Sequence, residues 1–151
     1  MKVKKAKIST QFYRKILTVM PIPCVDVVLV SGEKFLLCKR KNKPGIGKWC
    51  IPGGRVLRGE TLRRAVIRKV EEETGLKKFK ISKFITTREF FSSSSSFGVP
   101  THSINSVFLV LVPPGQTIQP DLQSSKLQWF SRIDKKWLKY AQDMLKLAGF
   151  E

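Results

Sequence analysis

Acidic residues are scarce in this chain. Its 151 residues include 11 Asp and Glu against 29 Lys and Arg, a formal charge of +18. Such a balance favours anionic partners, whether nucleotide phosphates, nucleic acid or an acidic surface, although many of the lysines can equally sit on solvated faces. No apolar run approaches the length of a membrane span, so no membrane is expected. The basic N-terminus, MKVKKAKISTQFYRK, lacks the apolar stretch of a signal peptide. Cysteine is limited to Cys24, Cys38 and Cys50, with no C-x-x-C spacing. An odd count beside apolar neighbours reads as reduced thiols in or near a core, and hence a reducing, cytoplasmic setting. There is one histidine, His102, at the start of an expected strand, where a structural role is the simpler assignment. Neither an internal repeat nor a second domain is visible, so residues 1–151 are read as one domain.

What is present patterns well. Phe12, Ile16 and Val19 fall at helical spacing after Ser9-Thr10, predicting a short amphipathic helix from Ser9 to Met20. CVDVVLV (Cys24 to Val30) and KFLLCKR read as strands joined by a turn at Ser31-Gly32. A helix is expected from about Glu60 to Thr74, with Gly75 as its stop signal. Beyond it come a β-rich stretch from Lys80 to Phe91, a serine run from Ser92 to Ser96 that reads as a mobile loop or lid, and strands at Ile104 to Val112 and Leu127 to Phe130. Asp134 to Leu147 is expected as a basic amphipathic helix whose Trp137, Tyr140, Met144 and Leu147 face a sheet. Strands and helices interleaved this way imply an α/β (α+β) fold, a mixed sheet sandwiched between helices.

The chemistry concentrates in GGRVLRGETLRRAVIRKVEEETGL. At about 100° per residue, Leu62, Ala65, Val66 and Val70 form an apolar stripe, with Glu73 near its middle, Lys69 beside it and Glu72 at its edge. A carboxylate turned toward a core is costly unless a cation or strong donors compensate it. Two adjacent carboxylates with Glu60 upstream suit Mg²⁺, which takes oxygen ligands and keeps several waters. The Gly53-Gly54 turn could add a carbonyl oxygen. An ordinary explanation stands alongside: Glu72 follows Arg68 by four residues and Glu73 follows Lys69 by four, the spacing of helix ion pairs.

The spacing as a whole resembles the Nudix box, G-x5-E-x7-R-E-U-x-E-E-x-G-U with U apolar, over residues 54–76. Gly54, Glu60, Arg68, Val70, Glu72, Glu73, Gly75 and Leu76 stand at the required positions, and Lys69 replaces one glutamate. The resemblance implies a hydrolase of nucleoside diphosphates linked to another moiety, dependent on Mg²⁺ or Mn²⁺. It makes Glu72 and Glu73 metal ligands and Arg68 the residue that orients them. The flank FLLCKRKNKPGIGKWCIPGGRV is similar to the GDP-mannose mannosyl hydrolase branch, whose members also lack that glutamate and form dimers. By position, Gly53 (through its carbonyl), Glu73 and Gln123 resemble that branch's metal ligands, and Asp26, Arg40 and Arg55 its substrate and transition-state contacts. Guanidinium forks pair naturally with phosphate oxygens.

One departure bears on mechanism. The branch's general-base histidine is Ser124 here, and its second histidine has only Arg88 and Glu89 nearby. A neutral serine does not take a proton from water at pH 7, which leaves Glu89 or Glu72 to activate water for attack at phosphorus. Three readings follow: a GDP-sugar hydrolase, a nucleoside triphosphate or dinucleotide pyrophosphohydrolase of the housecleaning type, and a nucleotide- or RNA-binding module with impaired catalysis.

Overall fold

The computed structural model describes residues 8–151, so the signal-peptide reading of the N-terminus rests partly on residues 1–7, outside the described residues. Helix α1 (Thr10–Val19) starts where Ser9 accepts the Phe12 N–H through its hydroxyl, as its Ser-Thr entry predicts. Strand β1 (Ile22–Ser31) turns through Gly32 into β2 (Lys34–Arg40), pairing Leu29 with Leu36 and Ser31 with Lys34. Short strands β3 (Trp49–Cys50) and β4 (Gly53–Arg55) lead into α2 (Leu62–Thr74). A long hairpin, β5 (Lys80–Ser92) and β6 (Thr101–Leu111), then precedes β7 (Ser124–Phe130) and α3 (Lys139–Leu147).

All the strands join one seven-stranded mixed sheet with the main order β3-β2-β1-β6-β5. β1 and β6 run parallel from Ile22↔Ser103 to Val30↔Leu111; the other pairings are antiparallel. The other edge of β1 changes partner along its length. Its first half, Cys24 to Asp26, pairs with β4, and its end, Leu29 to Ser31, pairs with β2.

Strand alternation sends Val25, Val27 and Leu29 to one face, against Ala65, Val66 and Val70 of α2. Val28, Phe35 and Leu37 go to the other, against Trp137, Met144 and Leu145. Each such side chain contributes about 1.5–3 kcal/mol when fully buried. The expected sandwich is therefore present, with α2 and α3 on opposite faces. Among the described residues no helix is long and apolar enough to cross a membrane.

Several boundaries move. Helix α2 begins at Leu62 rather than near Glu60, because Thr61 caps it and Glu60 bonds instead to the Leu57 N–H of its own turn. Leu62 leaves the apolar stripe and is 42% exposed. Gly75 ends the helix in the left-handed region, φ 70°, where its missing Cβ avoids a clash. The strand expected from Ile104 starts at Thr101, since Ser92↔Thr101 pairing extends the hairpin. The C-terminal helix starts at Lys139, not Asp134. Asp134 accepts the Lys136 N–H in a local turn, a preference that competes with helix, and Gln142 ties that turn down through the Lys135 and Trp137 carbonyls. The face of α3 turned inward is Ala141, Met144 and Leu145, while Leu147 is exposed. The serine run is tied down where Ser96 donates to the Lys43 carbonyl at 3.2 Å, and the residue after it, Phe97, meets the Tyr13 ring edge-on at 4.7 Å.

Candidate active site

Where β1 changes partner, a cavity of about 240 Å³ opens. Asp26, Arg40, Gly53, Arg55, Glu73 and Gln123, all expected as site residues, line it. Tyr13, Phe90, Ser103, Asn105, Ser124 and Tyr140 also contribute to its walls.

The floor is polar and buried. Asp26 Oδ2 accepts from the Asn105 amide and from the Tyr140 hydroxyl, each at 2.5 Å. Burial pushes the Asp26 carboxyl above its ordinary range, and those two donors oppose the shift. The Asn105 Oδ1 atom is buried with no hydrogen-bond partner. Because Nδ2 faces a carboxylate, the amide orientation is fixed and that oxygen is a buried acceptor closed off from the cavity surface.

The cationic wall comes from two elements. Arg40, at the end of β2, donates from Nε to the Pro44 carbonyl at 2.6 Å. Arg55, at the end of β4, stacks its guanidinium over the Tyr13 ring at 4.9 Å. Both arginines are thus braced beside the cavity, where phosphate oxygens would find charge-assisted donors.

Opposite lies the end of α2. Arg68 grips Glu60 with two parallel bonds of 2.7 and 2.8 Å, reaches Glu72 at 3.2 Å, and donates to the Arg55 carbonyl at 2.9 Å. Lys69 Nζ stands 2.5 Å from Glu73 Oε1 and 3.7 Å from Glu72 Oε2. Both ion pairs of the ordinary explanation therefore form. Glu73 is buried, and its second oxygen accepts the Gly53 N–H at 3.1 Å. Burial raises the Glu73 carboxyl, opposed chiefly by Lys69. Glu72 does not line the cavity; it stands beside Glu73 on α2 with 35% of its side chain exposed.

The donor set suits a hard divalent cation. Glu72 and Glu73 offer carboxylates; the Gly53 carbonyl and the exposed Gln123 amide offer neutral oxygens nearby. Among the described residues no group of three or more His, Cys, Asp or Glu converges, so any such ion relies on the two glutamates, neutral oxygens and substrate. Gln123 and Ser124 are positioned by Asp121, whose Oδ1 accepts both their N–H groups at 3.0 Å.

Glu89 is not brought to the cavity. Alternation along β5 turns Phe90 inward and leaves Glu89 62% exposed, 3.4 Å from His102 without hydrogen-bond alignment. His102 stacks on Phe91 at 4.2 Å, a packing role. The three thiols are free, and burial pushes Cys24 and Cys50 up to about 12, so they are inert neutral groups. Sequence reasoning missed Asn105, Tyr140, Tyr13 and Asp121. Asn105 carries a weak signal, the one amide in a strand that turns apolar after Ser106; the periodicity of Tyr140 points to packing alone.

The Glu60–Arg68 pair yields a pH prediction. That pairing holds the Glu60 carboxyl below its ordinary value of 4.5. Its contribution to stability is therefore present above that value and lost as pH falls through the depressed one. Glu60→Gln should lower stability at pH 7 by about 1–2 kcal/mol and flatten the acid limb of a denaturation series. An unchanged acid limb would show that the pair does not couple to folding.

The NUDIX domain family model matches residues 20–146. Low-salt glycan biosynthesis protein Agl8 of Haloferax volcanii is 30% identical over 125 residues, 82% of this chain and 80% of that protein. An ADP-ribose pyrophosphatase of Methanocaldococcus jannaschii is 48% identical over 56 residues, 37% of this chain and 33% of that protein. The fold matches a MutT NUDIX hydrolase from Burkholderia pseudomallei with a TM-score of 0.70 at 22% identity, covering 85% of this chain and 98% of that one. It also matches the NUDIX domain of Shewanella oneidensis NrtR, solved with ADP ribose, with a TM-score of 0.67 at 22% identity over 85% of this chain and 86% of that one. Seen with the glutamate-bearing helix set against the cavity, a family match over residues 20–146 means that the chain belongs to the NUDIX family of hydrolases acting on nucleoside diphosphate derivatives.

Proposed function

We propose that this chain, a single catalytic unit, hydrolyses a nucleoside diphosphate joined to a sugar, a GDP-sugar such as GDP-mannose, with Mg²⁺ or Mn²⁺. One observation carries the reading: a single cavity joins two braced arginines, the buried Glu73 carboxylate and a buried Asp26–Asn105 floor. Phosphates suit the arginines, and the carboxylate floor repels phosphate but accepts hydroxyl or amine donors. The names of the relatives, one in glycan biosynthesis and one an ADP-ribose pyrophosphatase, are consistent with such a substrate.

Arg40 and Arg55 bind the diphosphate and offset charge growing on its bridging oxygen. Asp26, with Asn105, orients the hydroxyl-bearing part. Arg68 holds Glu72 beside the cavity, next to Glu73 and within reach of Lys69, and there this carboxylate orients and deprotonates the attacking water; Glu89, on β5 beside His102 and apart from the α2 glutamates, is set aside as the base. The water oxygen bonds to phosphorus as the bridging P–O bond breaks, giving a nucleoside monophosphate and a sugar phosphate. Gly53, Glu72, Glu73 and Gln123 would hold a divalent ion, which would supply Lewis-acid charge to the reaction.

Product identification tests this. With GDP-mannose and Mg²⁺, GMP and mannose 1-phosphate are expected; GDP and mannose would instead place attack at the sugar carbon. Faster turnover of ADP-ribose, dinucleotides or triphosphates would move the assignment to a pyrophosphohydrolase. A chain that binds nucleotides or RNA but hydrolyses none of them would be a binding module, with affinity falling steeply with salt.

A further inference from the structure

A lysine within the buried face of a helix demands compensation, because an ammonium taken out of water is costly unless matched by opposite charge. Lys69 is 8% exposed, and its match is Glu73, one helical turn later, at 2.5 Å, with Glu72 at 3.7 Å. The path of its side chain is kept open by a glycine. A Cβ on Gly54 would stand 3.0 Å from Lys69 Cε and 3.3 Å from Nζ, tighter than a relaxed contact. The second Glu73 oxygen is taken by the Gly53 N–H. Both oxygens of the most deeply buried site glutamate therefore have partners supplied by the chain itself.

We propose that Lys69 is a tethered counter-ion that competes with the divalent cation for Glu73, so that this chain takes up its metal weakly and uses fewer ions than a carboxylate at this position would allow. The inference rests on the metal reading above and adds the residue that controls it. To ligate Glu73 Oε1, an ion must displace the ammonium, which stays on its tether as a neighbouring like charge. A nucleotide diphosphate relieves that repulsion by adding negative charge, so metal and substrate bind together more readily than metal alone. The ammonium also keeps Glu72 and Glu73 from repelling one another before either arrives.

Titration with Mn²⁺ alone, followed by the electron paramagnetic resonance signal of the free ion, tests this on the whole chain without nucleotide. Lys69→Met should bind Mn²⁺ at least about tenfold more tightly than wild type, about 1.4 kcal/mol. Lys69→Arg, which keeps the charge, should match wild type, and Lys69→Glu should take up more Mn²⁺ per chain. Mn²⁺ should raise the melting temperature of Lys69→Met by more than that of wild type, which also reports whether the variant folds. If Lys69→Met does not fold, the stoichiometry of Lys69→Glu decides. Wild-type uptake that disappears in Glu73→Gln but is unchanged in Lys69→Met and Lys69→Glu would overturn the lysine's role alone. Hydrolysis with no Mn²⁺ uptake by any form would overturn the metal reading and this inference together.

Discussion

Glu73→Gln is expected to lower kcat by on the order of 10³-fold, equivalent to about 4 kcal/mol, with nucleotide affinity changed far less. Glu73 is the buried carboxylate at the junction of α2 and β4, joined to Lys69 and to the Gly53 N–H. A neutral amide in its place has no charge with which to hold a cation, whereas the proposed phosphate contacts of Arg40 and Arg55 would be left in place. Thermal melts should also register the change, because the Gln variant leaves the Lys69 ammonium buried without its carboxylate. Steady-state rates beside equilibrium nucleotide binding provide the check. If kcat stays within a few-fold of wild type, Glu73 is a structural ion-pair partner only.

Gly53→Ala is expected to cost about 3 kcal/mol or more and to abolish activity with it. A Cβ here would lie 2.0 Å from Asp26 Oδ1 and 2.5 Å from the Val25 carbonyl oxygen. Backbone within a paired strand cannot swing aside as a side-chain tip can. The methyl group would have to push β4 off β1, breaking the Asp26↔Gly53 pairing and moving the N–H that holds Glu73. Melting temperature and soluble yield report the loss. A variant melting like wild type would show that β4 can part from β1 at little cost.

Much of this was legible in the sequence because it was local. Ser9 and Gly75 mark helix ends through bonds and dihedral angles within one turn, and the stripe of Ala65, Val66 and Val70 shows which face of α2 is buried. The spacing of Gly54, Glu60, Arg68, Glu72 and Glu73 also lies within one segment. Long-range contacts were less readable. Asn105 meets Asp26 across 79 positions and Tyr140 meets it across 114, and no periodicity reports such a meeting. Tyr140 fits an amphipathic pattern as a packing residue, yet its hydroxyl belongs to the cavity floor. Glu89 lies outside the cavity because strand alternation, not proximity in sequence, decides which side chains turn inward.

The floor's dependence on Tyr140 sets the order in which the protein can become competent during synthesis. Asp26 and Asn105 are joined across neighbouring parallel strands, but the hydroxyl that completes their cluster arrives on α3, which follows every strand of the sheet in sequence. A ribosome-bound chain lacking that helix carries the glutamates and arginines with an unfinished floor. The cavity floor is thus completed only once α3 has been translated.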